Sequence, residues 1–519
     1  MAVGAFIRGF CDRAVLKVVL VQLANAMLLG YIIGYVGVYN TLVSINEDCT
    51  SLKTQEACDS VKFTECAWSS NNTCFFKDID CGLFNEDECR SHEDKCAFDN
   101  DDKVCKHLTG FAATPSGIFA GAMTVGGMIG SMVAGYVVNK IGRKKALILS
   151  ASICLISSVL VHISRGVDAY GLLVAARVIL GIGTGLSCVA SPMYTEEMTP
   201  EPYRKPVGTM FQVFCTLGIA LAATVGLIVE PHDFAASQNN EVRIQMFIGV
   251  QTFLCLFALV VGIMVPESTR WLAMQDGGNK ETGSIASGSE LVNDSAPLIH
   301  NTVHYSWGSM LFPLGIATIM CLAQQMTGIN AIMNFAPTIT KSMGFSAMMG
   351  NWVVMLWNFV TTLISIPAAS KFSMRQMFVT GTLIASCATF VTGIPIFPGV
   401  YGNEEGRHAL AGLGIFLFIL AFEVGMGPAF YVLAQELFPS SFRPKGSSYT
   451  LATQFVFNII INVCFPIAVV DLSGGPSGNQ DKGLAIVFFF FGTCGMLAFA
   501  LLFKFLHPFK EALIAGESA

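Results

Sequence analysis

Charge is what this 519-residue chain lacks. Asp, Glu, Lys and Arg make up only 13% of it, where an ordinary soluble chain carries about 25%. That shortage excludes disorder, a coiled coil and a nucleic-acid partner. Also absent are a P-loop, an ATP-binding segment and a nucleophile–base–acid motif, so neither an enzyme nor an ATP-driven pump is expected. The first long loop is rich in cysteine but holds no C-x-x-C pair, so zinc is not expected there, and nothing else calls for a metal or cofactor. No small-residue cleavage site follows the first apolar run, which starts after Arg13, so that run reads as a retained helix.

What is present is apolar. Hydrophobic residues make up 53% of the chain, with 40 Phe and 50 Gly, and the mean hydropathy is +0.59. A soluble fold cannot hide that much apolar surface, so the chain reads as an all-α protein that crosses a membrane many times. About 20 apolar residues cross a bilayer core. Twelve such runs occur, near 15–43, 115–138, 145–163, 170–193, 207–229, 243–265, 310–341, 348–370, 376–397, 408–434, 445–470 and 483–506. The even-numbered connections hold most of the cations: Lys140, Arg143, Lys144 and Lys145, then Arg204 and Lys205, Lys371 and Arg375, Arg443 and Lys445. By the positive-inside rule both termini are cytoplasmic.

The net charge of −6 is unevenly placed. Residues 46–110 hold 15 acids against 7 bases, a balance of −8, which leaves +2 for the rest. The Gly- and Ser-rich stretch 271–307 reads as a cytoplasmic linker between two six-helix bundles, 1–270 and 308–519. An internal repeat supports the division. Run 4 ends in Glu197-Met-Thr-Pro200-Glu-Pro-Tyr-Arg204 and run 10 in Glu436-Leu-Phe-Pro439-Ser-Ser-Phe-Arg443, both E-x-x-P-x-x-x-R. Parallel halves of this kind are a known transporter design.

Eight of the 17 cysteines fall in the loop 46–110: Cys49, Cys58, Cys66, Cys74, Cys81, Cys89, Cys96 and Cys105. They form two tandem units of four, and on the outer face all eight are expected to be oxidised, each unit pairing within itself by one of three connectivities. Asn71-Asn-Thr73 is a glycosylation sequon on the same side. Together with the cysteines it favours the plasma membrane. A role in shielding the outer mouth is expected of the loop.

Five motifs follow in order. Gly135-Tyr-Val-Val-Asn139-Lys140-Ile-Gly142-Arg143-Lys144 follows run 2. Run 4 contains Arg177-x3-Gly181-x-Gly183-x-Gly185, then Pro192-Met-Tyr194-Thr-Glu196-Glu197. Pro266-Glu267-Ser268-Thr269-Arg270 follows run 6. Run 7 carries Gln324-Gln325-Met326-Thr327-Gly328-Ile329-Asn330. Together they resemble the sugar porter family of the major facilitator superfamily over nearly the whole chain, most like the hexose transporters of kinetoplastid parasites. Asn139 stands where the family signature has Asp, and the second-half copy, Ser370-Lys371-Phe-Ser373-Met374-Arg375-Gln376, lacks an acid and a Gly.

The resemblance implies a fold of two six-helix bundles and a sugar site built from Gln212, Gln324, Gln325, Asn330, Asn358, Glu423 and Asn458, with Phe422 and Phe455 packing on the ring. Tyr431 and Phe455 stand where the family has Trp, and Gln454 where it has Asn. The chemistry suits a hexose. Each hydroxyl both donates and accepts, and Asn and Gln do the same without a charge to neutralise. Deep in a membrane such amides are costly unless they face a polar path, although they also join helices to one another. Gly328 would break run 7 and let its outer half move. His107, His162 and His232 are assigned no role.

For the gate, Arg143, Arg204 and Arg443 are expected to pair with Glu197, Glu267 and Glu436 across the two bundles, the other reading being pairs within one bundle that fix helix ends. Energy coupling turns on one residue. Proton-coupled members commonly carry Asp in run 1, where this chain reads Leu29-Gly30-Tyr31-Ile32, and Ile32 cannot hold a proton. Facilitated diffusion of a hexose by alternating access is therefore expected, D-glucose first and D-fructose second, in a chain that meets membrane lipid and can act as a monomer. The alternatives are a proton–hexose symporter, a polyol carrier, a channel and a non-transporting sugar receptor. About a dozen residues follow Leu506, too few for the long signalling tail of a receptor.

Overall fold

The computed structural model describes residues 13–46, 55, 113–167, 169–229, 240–276, 305–330, 333, 347–400, 404–439, 441–474 and 480–506, with four short strands at 66–68, 74–76, 96–99 and 104–107. Among these residues, twelve helices are long and apolar enough to cross a membrane. They are α1 (Arg13–Asn46), α2 (Ala113–Ile141), α3 (Arg143–Gly166), α4 (Tyr170–Met198), α5 (Glu201–Val229), α6 (Asn240–Met264), α7 (Leu311–Met326), α8 (Ala347–Leu363, continued by Ser365–Lys371), α9 (Met374–Ile396), α10 (Glu404–Ala421, continued by Phe422–Met426 and Gly427–Glu436), α11 (Arg443–Ser473) and α12 (Gln480–Phe505). The linker expected over 271–307 overlaps a short helix, Thr269–Asp276.

Packing follows the internal repeat. In the first six helices α2 and α3 pack on α4, α3 on α6, and α1 on α5 and α6. In the last six the equivalent contacts recur: α8 and α9 on α10, α9 on α12, and α7 on α11 and α12. The two groups meet chiefly through α2 against α11 and α5 against α8. Those two contacts are images of each other under a two-fold exchange of the bundles.

Glycine makes the close contacts. Where α2 crosses α4, a Cβ on Gly181 would strike the Met123 carbonyl, and one on Gly185 the Gly127 carbonyl. Without a hydrophobic drive between helices in lipid, such backbone approach and interhelical hydrogen bonds hold a bundle together. Ser150 and Ser157 of α3 supply the bonds, donating to the Gly183 carbonyl at 2.8 Å and the Ala176 carbonyl at 2.6 Å on α4.

In the segment between α1 and α2, β1 (Cys66–Trp68) pairs antiparallel with β2 (Cys74–Phe76), and β3 (Cys96–Asp99) with β4 (Val104–His107). The register repeats: Trp68 lies opposite Cys74, and Phe98 opposite Cys105. Over these residues the two strand pairs share one register. Cys49, Cys58, Cys81, Cys89 and Asn71 lie outside the described residues, as do the side chains of Cys66, Cys74, Cys96 and Cys105.

Replacing Gly181 with Val should abolish recovery of monodisperse protein in detergent. Gly249→Val on α6, where an added Cβ meets nothing within 4 Å, should leave it normal. Size-exclusion chromatography of the two variants checks this.

Candidate functional site

The middle of α10 departs from α-helical geometry. Phe422–Met426 form a single π-helical turn, and Gly427–Glu436 then resume the α-helix. Pro428 lacks the N–H that a regular helix would use here, so one bond is lost and the turn widens to absorb it. The widened turn presents Glu423, which is 2% exposed. One carboxylate oxygen accepts from the Asn358 amide of α8 at 2.8 Å. The other accepts from the Gln212 amide of α5 at 2.9 Å and the Thr362 hydroxyl of α8 at 3.2 Å. Gln212 belongs to the first bundle and Glu423 to the second, so this carboxylate ties the two together at mid-span.

A second polar cluster joins α7 to α11. The Gln325 carbonyl accepts from the amides of Asn330 at 2.9 Å and Asn458 at 3.4 Å, and the Asn458 carbonyl accepts from Asn462 at 2.9 Å. α7 ends at Met326. Gly328 follows with φ 95°, a left-handed backbone that glycine adopts without strain. A Cβ there would also lie 2.6 Å from the Phe491 ring. The break expected at Gly328 is therefore present, and it brings Asn330 back toward Gln325. Gln324 is buried, and its carbonyl oxygen and that of Asn358 have no hydrogen-bond partner among the described residues.

The two aromatic candidates separate. Phe455 lies between the bundles, against Gly127 of α2, where a Cβ would come within 2.7 Å of its ring. Phe422 is 4% exposed and stacks on Phe418 at 6.0 Å. It is as buried as Gln325 and Glu423, and its ring is held by Phe418. Tyr431 packs against Phe211 at 4.5 Å.

The charged end of the molecule also differs from expectation. Arg143 binds Glu197 through two parallel bonds of 2.8 and 2.6 Å, and Ser268 donates to the same carboxylate at 2.5 Å. Glu267 accepts the backbone N–H groups of Arg143 at 2.9 Å and Lys144 at 3.0 Å. It thereby caps the start of α3, which has no side-chain cap of its own, and an anion at a helix N-terminus is stabilising. All four residues belong to the first bundle, so Arg143, Glu197 and Glu267 fix helix ends and do not bridge the halves. The bridge runs through Glu196, 3.6 Å from Arg204 and 3.7 Å from Arg443. Glu436 is an electrostatic neighbour of the same group. Beside it Ser448 of α11 accepts from the Gly135 N–H of α2 at 2.9 Å, so the bundles are in contact at this end.

Sequence reasoning did not assign Glu196 to the gate. The signal was the adjacent pair Glu196-Glu197: neighbours on a helix point about 100° apart, so the two acids serve different partners. Arg177 is a second residue that the site reading left without a role. It is 1% exposed, its guanidinium lies 5.2 Å from the Tyr35 ring and 4.7 Å from Phe119, and its nitrogens have no hydrogen-bond partner among the described residues. Ile32 is fully buried.

The model of the "Sugar (and other) transporter" family matches residues 18–505. Glucose transporter 2A of Trypanosoma brucei brucei is 41% identical over 506 residues, covering 96% of this chain and 89% of that protein. Glucose transporter HT1 of Trypanosoma vivax is 38% identical, covering 96% and 85%. Among solved structures, the proton:xylose symporter XylE bound to 6-bromo-6-deoxy-D-glucose superposes with a TM-score of 0.66 at 20% identity, covering 95% of this chain and 96% of that one. At that identity the likeness concerns the fold.

Glu423→Ala should leave Gln212, Asn358 and Thr362 without an acceptor, each orphaned donor costing about 1–3 kcal/mol. Glu423→Gln keeps one carbonyl acceptor. Thermal unfolding of the purified variants should therefore show a larger loss of stability for Ala than for Gln.

Proposed function

The chain belongs to the sugar transporter family, and from that premise we propose that it carries hexoses across the membrane by facilitated diffusion, with D-glucose as the principal substrate and D-fructose as a second. It is a transporter and not an enzyme. The observation that carries the reading is the pair of polar clusters at mid-span, Gln212–Asn358–Glu423 and Gln325–Asn330–Asn458. Apart from one carboxylate, they offer only groups that donate and accept as a sugar hydroxyl does. The relatives named as glucose transporters support the choice of hexose over another polyol.

Transport proceeds by alternating access. The basic end is cytoplasmic, both termini lie on that side, and the cysteine-rich segment faces outward at the plasma membrane. In the absence of sugar the amides bond to one another and to Glu423. A hexose entering from outside exchanges those bonds one for one for bonds to its hydroxyls, so the net cost is small although about 0.5–1.5 kcal/mol rides on each neutral bond and about 1.5–3 kcal/mol on each bond to the carboxylate. Phe455, between the bundles, supplies the apolar contact. Opening to the cytoplasm parts Glu196 from Arg443 and separates Gly135 from Ser448. At 3.7 Å the Glu196–Arg443 contact lacks the short paired bonds of Arg143 and Glu197, which suits a latch that must release.

Uniport is favoured by the surroundings of Arg177. A proton relay in a membrane needs an ionisable group, and the neighbours of this cation are aromatic rings, with Ile32 in the family's acidic position. The competing reading is proton-coupled symport. One observation favours it: Glu423 is a buried carboxylate at the junction of the bundles.

Purified protein in proteoliposomes should equilibrate a non-metabolised hexose without concentrating it under an imposed pH gradient. Accumulation abolished by an ionophore would establish symport. Gln325→Ala and Asn330→Ala should each weaken hexose affinity several-fold with normal surface expression, as measured by uptake in a transport-null cell. Unchanged affinity in both variants would remove these residues from the sugar site.

A further inference from the structure

A small cavity lies between the bundles on the basic side of the Glu423 cluster. It is lined by Gln22 of α1, Thr195 and Glu196 of α4, Arg204 of α5, and Tyr431 and Gln435 of α10, among others. Its place follows from helix geometry. Tyr431 is eight residues beyond Glu423, about 12 Å along the axis, and Gly208, also in its lining, is about 6 Å from Gln212 along α5. The cavity therefore sits one to two turns from the mid-span site, toward the end where Glu196 meets Arg443.

Two glutamines converge on it with complementary groups free. Gln22 is 0% exposed; its amide nitrogen donates to the Thr195 hydroxyl at 2.7 Å, and its carbonyl oxygen has no partner among the described residues. Gln435 is 2% exposed; its carbonyl accepts from the Ser447 hydroxyl at 2.9 Å, and its amide nitrogen has no partner among the described residues. Each side chain is oriented by one bond within its own bundle, which leaves an acceptor on the first bundle and a donor on the second. A buried polar atom without a partner is costly, so an unpaired donor and acceptor lining one cavity point to a ligand group that both donates and accepts. A hydroxyl is that group. The space of about 10 Å³ admits one hydroxyl or one water and not a sugar ring.

We propose that Gln22 and Gln435 form an exit-side subsite that holds a hydroxyl of the hexose as it leaves the mid-span site toward the basic end. The inference rests on the hexose reading above. The subsite straddles the bundles, so it is complete only while they are close and is taken apart as the exit opens. It gives the departing sugar partners in place of the amides it has just released. Tyr431, which also lines the cavity, lies on α10 between Glu423 and Gln435 and separates the two sites.

The test is zero-trans entry and zero-trans exit of 3-O-methyl-D-glucose in a transport-null cell, for wild type, Gln22→Met and Gln435→Met. Both substitutions keep the side-chain length and remove the free polar atom. The ratio of exit KM to entry KM should rise about three- to tenfold in each variant. A ratio equal to wild type would mean that the cavity holds only a water, and would overturn the proposal. So would an equal change in both KM values, which would place the glutamines in the mid-span site. If a Met variant is not recovered at the surface, Gln435→Glu, which is isosteric and keeps the acceptor for Ser447 but removes the donor, must show the same rise. Wild-type cells that move no hexose in either direction would refute the transport reading itself, whereas transport with an unshifted ratio refutes only the subsite.

Discussion

A carboxylate buried among three donors is the constraint on which the centre of this molecule depends. Glu423 collects Gln212 from one bundle and Asn358 and Thr362 from the other. In a low-dielectric interior such charge-assisted bonds are strong and their loss is expensive. α5, α8 and α10 must therefore keep their faces turned toward one point. The π-turn of α10 serves the same end, since it lifts Glu423 out of the regular helical path. A neutral, hydroxyl-bearing ligand can replace these bonds one for one. That exchange lets two states of the protein stay close in free energy, as alternating access requires.

The charged end divides into parts of different strength. Arg143, Glu197, Ser268 and Glu267 are enclosed in one bundle and lock the starts and ends of its helices, with the Arg143 and Glu197 side chains 1% and 3% exposed. Breaking one partner of such a buried pair is strongly destabilising. The contact that crosses between bundles, Glu196 to Arg443, is longer at 3.7 Å and more exposed. The rigid part is placed where nothing needs to move, and the weak part where the bundles must separate.

Much of this was legible in the sequence. The twelve apolar runs match twelve helices because a membrane span needs length and hydropathy, and both are read directly. The internal repeat anticipated the matching contacts of the two halves, and Gly328 the end of α7. Other features were not legible. Hydropathy says that Phe422 is apolar but not that it stacks on Phe418. The motif pointed to Glu197, yet only the rotation of α4 shows that Glu196 faces Arg443. The π-turn follows from Pro428 and its neighbours, but whether a missing N–H yields a kink or a wide turn depends on what packs there. Pairing within one bundle or across two is likewise a matter of geometry beyond the spacing of residues.

The central claim is that the mid-span amides exchange their mutual bonds for bonds to a carbohydrate. An experimental structure of the protein with a bound hexose tests it most directly. The account predicts sugar oxygens within about 3 Å of Gln325, Asn330 and at least one of Gln212 and Asn358, with the Gln325–Asn330 or Gln212–Glu423 bond opened. A sugar lodged elsewhere, with both clusters still closed on themselves, would contradict it.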